Sequence, residues 1–504
     1  MDVTPDRTAS RPPHRTQSPT PVGETDVIVI GGGTGGYSTA LRAAALGLDV
    51  VLFERDLVGG TCLHRGCIPS KAMLHAAELV DGVAEARDRW GVKATVDGID
   101  WAALTGTRDD IVARNHRGVE AHLARAGVRV VRASARLTGP RTVTAEPAGA
   151  RTAMTRGPAG AAEDAPAYRA RRALVLATGS RPRLLPGLVP DGHRIVTSDD
   201  ALFAPGLPES VLVLGGGAIG VEYASLHRSM GARVVLVEAA DRLLPLEDAD
   251  VSRHLARALR KRGVEVLTGA LLTGAETRDD GVRAVVRTAR GEDLDLGVER
   301  LLVAVGRTPV TDGLDLAAAG LTTDGRGYVP PADWARLETA VPGVHVVGDL
   351  LPPPSPGLAH ASFAEGLLVA ELLAGGSPRP VDYAAVPRVT YSSPQTAAVG
   401  LTERQARDRG ADVVVNSMPM TAVAKGMVHG QGGMVKVVAE RHGPVLGVHL
   451  VGPNVSEMIA EGQLIVGWDA EAADVAQHVH PHPTLSEAVG EDFLTLGGRA
   501  LHQV

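Results

Sequence analysis

The chain has 504 residues, 44% of them hydrophobic and 22% charged, with a net charge of −7. That is enough for two or three domains with ordinary cores and too apolar for a disordered chain. No run of 18 uninterrupted apolar residues and no Lys/Arg-rich block occurs, so neither membrane nor nucleic acid is expected as a partner. The two cysteines, Cys62 and Cys67, are too few for a structural zinc site, which usually wants four ligands. A disulfide closing so short a loop would add little stability, so a redox pair in a reducing compartment is the better reading.

Residues 1–22 are rich in Pro, Ser and Thr, lack an apolar signal core, and are expected to be a disordered tail. A cytoplasmic location is the matching expectation. Asp26-Val-Ile-Val-Ile30 then reads as a buried strand running into Gly31, Gly33 and Gly36, followed by an Ala/Leu-rich helix to about Gly47. Asp49 to Glu54 reads as a second buried strand ending in an acid, which completes a βαβ unit. Residues 145–170, rich in Ala, Gly and Pro, read as an extended surface loop, and Ala173 onward as a strand breaking at Thr178, Gly179 and Ser180. The first grammar then returns: a strand from Ser210, a turn through Gly215, Gly217 and Gly220, a helix to about Met230, and a strand closing at Glu238. Gly31 to Glu54 and Gly215 to Glu238 each span 23 positions, so two dinucleotide-binding domains are predicted. Val344 to Asp349 reads as another strand, and from about Tyr383 the pattern changes to that of an α+β domain.

Each glycine motif follows a strand, opens a helix and has an acid at the next strand's end, which is the context that gives such motifs their meaning. The first glycine makes the turn, the second admits the pyrophosphate to the backbone, and the third lets helix and strand pack. Glu54 and Glu238 would each accept hydrogen bonds from a ribose diol. A 2′-phosphate would meet a like charge at Glu238, so NAD is expected over NADP at the second site.

The cysteines stand in Gly59-Gly-Thr-Cys62-Leu-His-Arg-Gly-Cys67-Ile-Pro-Ser-Lys71, and near the end lies His480-Pro-His482-Pro-Thr-Leu-Ser-Glu487. His482 is suited to deprotonate a dithiol, because imidazole titrates near 6.5 and a free thiol near 8.5, and Glu487 would steady its other nitrogen. His478 and His480 could suggest a metal, but with no nearby Cys and interrupting prolines no metal site is expected.

With these motifs the sequence resembles the flavoprotein disulfide reductases, the class I pyridine nucleotide-disulfide oxidoreductases, and most closely the dihydrolipoamide dehydrogenases, from Asp26 to the C-terminus. The resemblance implies an α/β protein with two Rossmann-like domains, for FAD and NAD, and a C-terminal α+β dimerisation domain. The boundaries expected are 23–185 and 311–382 for the FAD domain and central region, 186–310 for the NAD domain and 383–504 for dimerisation. It further implies that Cys62 exchanges with substrate, that Cys67 faces the flavin, and that Lys71 pairs with Glu222 near the ring edge. The remaining FAD contacts implied are Ala135, Thr178, Gly179, Ser180, Asp349, Gly357, Leu358, Ala359 and His360, with Gly306 at NAD. The His482–Glu487 dyad would reach the disulfide of a second subunit, which implies a homodimer, with Ser456-Glu-Met-Ile in an interface helix. The substrate implied is a dihydrolipoyl group on an acyltransferase complex. Departures from the family pattern are the tail, the long 145–170 segment, Gln395 in place of a common Glu, and His64 and Arg65 between the cysteines. His64 and Arg65 are expected to face solvent rather than to tune the thiols.

Two alternatives stay open. One is an NADPH-dependent reductase of another small disulfide or a metal ion, against which stand Glu238 and the lack of a further Cys pair near the C-terminus. The other is a flavin-bearing complex subunit with mainly a binding role.

Overall fold

A computed structural model describes residues 21–147 and 166–502. The chain opens with β1 (Pro21–Ile30), α1 (Thr34–Ala45) and β2 (Val50–Glu54). Next come α2 (Gly60–His64), α3 (Cys67–Trp90), α4 (Trp101–Arg125), β3 (Arg129–Arg132), β4 (Ser134–Gly139), β5 (Thr142–Glu146) and β6 (Ala167–Leu176). These strands form one sheet in the order β3-β2-β1-β6-β5-β4, with β1, β2, β3 and β6 parallel. Val27, Ile28, Val29 and Ile30 are each at most 3% exposed, as expected for a central strand covered on both faces.

Two expected boundaries shift. β1 begins at Pro21, so the last two residues of the expected tail belong to a strand that pairs with β6, and residues 1–20 lie outside the described residues. Ala145 and Glu146 end β5, paired with β4, and residues 167–170 begin β6, so the expected loop gives up both its ends to strands. Residues 148–165 lie outside the described residues.

The chain then forms β7 (Ser180–Pro182), β8 (Ile195–Thr197), α5 (Ser198–Ala201), β9 (Ser210–Leu214), α6 (Ala218–Ser229), β10 (Arg233–Glu238), α7 (Ala249–Lys261) and β11 (Glu265–Thr268). An antiparallel meander follows, β12 (Leu271–Arg278), β13 (Gly281–Arg287) and β14 (Asp293–Val298), before β15 (Arg300–Val303) returns to the main sheet. That sheet is parallel throughout, in the order β11-β10-β9-β15-β8. β16 (Arg307–Pro309) pairs with β7, so the chain leaves the first domain and re-enters it through one two-stranded ribbon. After re-entry β17 (Val344–Val346) pairs with the C-terminal half of β6, and α8 (Ala359–Leu373) packs on α1.

The third unit comprises β18 (Arg388–Thr390), β19 (Gln395–Gly400), α9 (Glu403–Asp408), β20 (Val413–Pro419), α10 (Ala424–His429), β21 (Met434–Glu440) and β22 (Val445–Gly452). It closes with α11 (Val455–Gly467), α12 (Ala472–Val475) and α13 (Glu487–Leu496) around an antiparallel sheet ordered β18-β19-β22-β21-β20. Gln395 serves this unit with a neutral oxygen: its Oε1 accepts the Ser456 N–H in the first turn of α11 at 3.1 Å. An ion cluster ties the unit to the one before. Lys436 on β21, 3% exposed, donates to Asp248 at 2.9 Å, Asp250 at 2.7 Å and Glu403 at 2.8 Å. Arg253 and Arg407 pair with the outer two carboxylates, so three cations face three anions.

Candidate active site

The two glycine loops superpose in their chemistry. Gly31 and Gly215 have φ of +102° and +110°, which favour glycine, and a Cβ on Gly36 or Gly220 would lie 1.8 Å from the Gly31 or Gly215 carbonyl oxygen. A Cβ on Gly33 or Gly217 would meet nothing within 4 Å, so open space lies at the N-terminus of α1 and of α6. Amide donors and the positive end of the helix dipole there suit a pyrophosphate. Each acid is clamped to its loop. Glu54 accepts the Gly32 N–H and the Asp56 N–H, both at 2.7 Å. Glu238 accepts the Gly216 N–H at 2.5 Å and the Ala240 N–H at 2.7 Å.

Beside Glu54 a cavity of about 240 Å³ is lined by Val58, His116, Glu120 and Arg132 among others. Sequence reasoning missed these contributions from α4 and β3, because helix residues more than fifty positions from the glycine motif carry no local signal. Ala135 lies buried in β4 opposite Ala145 and does not line that cavity. Gly306, two positions past the Ala304 carbonyl that abuts Gly215, has φ +108° and open space beyond its Cα, which places it at the second loop.

Thr178, Gly179, Ser180 and Asp349 come together where β6 ends. Thr178 Oγ1 donates to the Val310 carbonyl at 2.5 Å, and the Ser180 hydroxyl donates to the Asp349 carboxylate. Arg307, which the sequence did not single out, donates to Ser180 Oγ at 2.7 Å and to its carbonyl at 2.8 Å. Burial pushes the Asp349 carboxyl up, against the pull of Ser180 and Arg307. Gly357 abuts Asp349, and Leu358 and Ala359 open α8. His360 is tied by Nε2 to the Pro387 carbonyl at 2.7 Å.

Cys62 lies in α2 and Cys67 is the first residue of α3, both half-buried thiols. The Cys62 S–H donates to Cys67. That bond, set against burial and helped by the Lys71 cation, lowers the Cys67 thiol to about 7, while Cys62 is pushed up as the donor. Position at the start of a long helix favours the same thiolate. Lys71, one turn further along α3, donates to Glu222 at 2.8 Å. Tyr37 on α1 faces this pair: burial first, then the Cys62 charge, pushes its phenol up to about 12. Arg65 is exposed and pairs with Asp56 at 2.5 Å. His64 departs from its expected place: it turns inward, with Nε2 on the Val58 carbonyl at 2.9 Å and its ring edge-on to His116 at 4.9 Å. The same carbonyl is bonded by His116 Nδ1 at 3.1 Å, so the two imidazoles share one backbone acceptor.

His482 Nδ1 bonds Glu487 Oε1 at 2.7 Å, and the other oxygen of Glu487 accepts the Thr484 N–H at 2.7 Å. Although burial opposes it, those two bonds hold the Glu487 carboxyl below its usual range. The His482 side chain is 72% exposed and shares no hydrogen bond with either cysteine. His480 has its own carboxylate, Glu461 at 2.7 Å, whose hydrogen bond raises the imidazole pKa. Among the described residues no group of three or more His, Cys, Asp or Glu is arranged to hold a metal ion. Nor is any described helix long and apolar enough to cross a membrane.

Comparison with known proteins agrees with this geometry. Residues 25–366 match the pyridine nucleotide-disulphide oxidoreductase family and residues 386–493 match that family's dimerisation domain. A dihydrolipoyl dehydrogenase of Bacillus subtilis is 38% identical over 484 residues, covering 95% of this chain and 99% of its own. One from Thermus scotoductus is 39% identical over 483 residues, covering 95% and 98%. Among solved structures, LpdA of Mycobacterium tuberculosis matches with a TM-score of 0.81 at 25% identity over 93% of this chain and 99% of its own. The HOCl-induced flavoprotein disulfide reductase RclA of Escherichia coli matches with a TM-score of 0.78 at 25% identity, over 93% and 99%. The chain belongs to the pyridine nucleotide-disulphide oxidoreductase family.

Proposed function

We propose that this oxidoreductase oxidises dihydrolipoyl groups to lipoyl groups with NAD, through FAD and a Cys62–Cys67 disulfide. The observation that carries the reading is the His482–Glu487 pair: an exposed imidazole, fixed through Nδ1, is available to take a proton at Nε2. His482 removes one proton from the dithiol, and the thiolate attacks Cys62 Sγ, breaking the Cys62–Cys67 bond and forming a mixed disulfide. The second substrate thiol, on losing its proton, displaces Cys62, so lipoyl disulfide leaves and both cysteines are reduced. Cys67 is held as the thiolate by Cys62 and Lys71. FAD supplies two-electron transfer between that dithiol and NAD. Glycine loop one, Glu54, Ser180 and Asp349 hold FAD, and glycine loop two, Glu238 and Gly306 hold NAD.

The thiols that His482 serves belong to a second copy's site. The exposed dyad without a thiol of its own chain supports this, as do the matched dimerisation domain and the outward apolar residues Leu464, Trp468 and Val479 near α11. The partner is the lipoyl domain of an acyltransferase complex, and the location is the cytoplasm, in keeping with two redox cysteines and no others. NADH formation from dihydrolipoamide, with NAD or NADP, in the parent and in His482→Gln tests the proposal. Rapid NAD-linked turnover should fall roughly 10²- to 10⁴-fold in the variant. A yellow, folded protein that ignores dihydrolipoamide yet oxidises NADPH with another disulfide would leave only the family.

A further inference from the structure

The third domain reaches the redox centre at Tyr391. Tyr391, just past the end of β18, lies with its ring face 4.6 Å from Lys71 Nζ, inside the range where a cation is drawn to an aromatic face. Its backbone N–H donates to Glu222 Oε1 at 2.9 Å, while the other oxygen of the same carboxylate holds Lys71 at 2.8 Å. Lys71 is thus pinned from two sides: by a carboxylate from α6, 8% exposed, and by a ring from the third domain. The same loop is itself anchored, since the Ser393 N–H donates to Ser225 Oγ at 2.9 Å and Arg262 donates to the Ser393 carbonyl at 2.9 Å. A lysine side chain has four rotatable bonds, so a salt bridge on one side alone would leave its ammonium room to wander.

We propose that Tyr391 is the positioning residue for Lys71, holding its ammonium between ring face and carboxylate so that the cation stands at Cys67. This rests on the reading of Cys62 and Cys67 as the redox pair. The charged and titratable groups facing Cys67 are Cys62 from α2, Lys71 from its own helix, Glu222 from α6 and Tyr391 from the third domain. Glu222 acts against the thiolate, so the benefit of the Lys71–Glu222 pair depends on the cation lying nearer the sulfur than the anion does. A ring that fixes the cation without adding negative charge serves that need better than a second carboxylate would.

The test is the pH dependence of iodoacetamide alkylation of Cys67 in the flavin-loaded, reduced Cys62→Ser protein, a readout that needs no dithiol substrate. Tyr391→Phe keeps the ring and should leave the midpoint where the parent has it. Tyr391→Leu keeps the backbone bond to Glu222 but removes the ring face, and should raise the midpoint by roughly half a unit or more, about a threefold loss of thiolate below it. Tyr391→Met carries the same expectation if the leucine variant does not retain flavin. In a Lys71→Met background the ring should make no difference. Equal midpoints for the phenylalanine and leucine variants, or a leucine shift that persists without Lys71, would overturn the proposal and leave the redox pair standing. A midpoint that Lys71→Met leaves unmoved would overturn the proposal, whereas failure of NADH to expose the Cys62 and Cys67 thiols of the unsubstituted protein would overturn the redox pair.

Discussion

Replacing Glu238 by Gln should collapse the preference between nicotinamide cofactors. Its carboxylate is fixed at the end of β10 by the Gly216 and Ala240 amides, so it cannot swing away from an incoming phosphate. Neither nearby arginine is set as a phosphate clamp: Arg242, beyond the strand's end, donates to the Pro245 carbonyl at 2.9 Å, and Arg233, at the far end of the strand, donates to the Gly297 carbonyl. At a separation of about 5 Å and an effective dielectric of about 40, each unit of like charge costs about 1.7 kcal/mol. A 2′-phosphate carrying roughly 1.5 to 2 charges therefore loses about 3 kcal/mol, on the order of a hundredfold in kcat/KM. The glutamine side chain keeps an acceptor for one loop amide, loses the other bond, and presents no charge. Steady-state kcat/KM for NAD and NADP with dihydrolipoamide should show a ratio of roughly a hundredfold or more in the parent and within about tenfold in Glu238→Gln. An unchanged ratio would refute the assignment of discrimination to this carboxylate.

Lys436→Met should lower stability by about 3 to 5 kcal/mol, since it leaves buried Asp248 facing two further carboxylates without their shared cation; urea unfolding followed by flavin release and by far-UV signal reads it. Asp492, buried on α13, has its carboxyl pushed up to about 8 by burial. The folded value exceeds the unfolded one, so its favourable contribution is present below about pH 4 and is lost as pH rises toward 8. Asp492→Asn should therefore raise the thermal midpoint more at pH 8 than at pH 5, and an equal gain at both would count against a protonated side chain. Gly217→Val should fill the open space at the N-terminus of α6, abolishing nicotinamide binding while the purified protein stays yellow; loss of flavin together with NAD would mean that the two loops are not independent.

The duplicated strand–glycine–helix–acid pattern was legible because it is local: every residue that makes each loop lies within 23 positions. The pairs Lys71–Glu222 and His482–Glu487 were legible through motif resemblance, and the geometry brings each within hydrogen-bond reach. What escaped were contacts made by unrelated stretches of chain. Tyr391 reads as an ordinary strand-end aromatic until folding carries it across to Lys71, and Arg307 reads as a surface arginine until β16 returns beside β7. Lys436 sits amid apolar strand residues, where a lysine suggests an exposed face, yet it is buried because its three carboxylates arrive from α7, its flanking N-cap and α9. His64 misled for the opposite reason, since a polar residue at the end of the short helix α2 found a backbone acceptor instead of water.

The ribbon of β7 and β16 has a consequence for how the polypeptide is made. Strand β6 emerges from the ribosome long before β17, its neighbour in the sheet, and about 170 residues separate Leu176 from Val344. At roughly 5 to 20 residues per second that interval lasts on the order of ten to thirty seconds. In that time all five strands of the inserted parallel sheet, from Ile195 to Val303, become available and can close on themselves. The nucleotide domain that begins second is thus the first to be finished, and the earlier one waits with an open sheet edge and without Asp349. If Asp349 holds flavin as proposed, flavin capture should be a late event on a nascent chain, and a synthesis pause placed after Val303 should lengthen the exposure of that edge to chaperones.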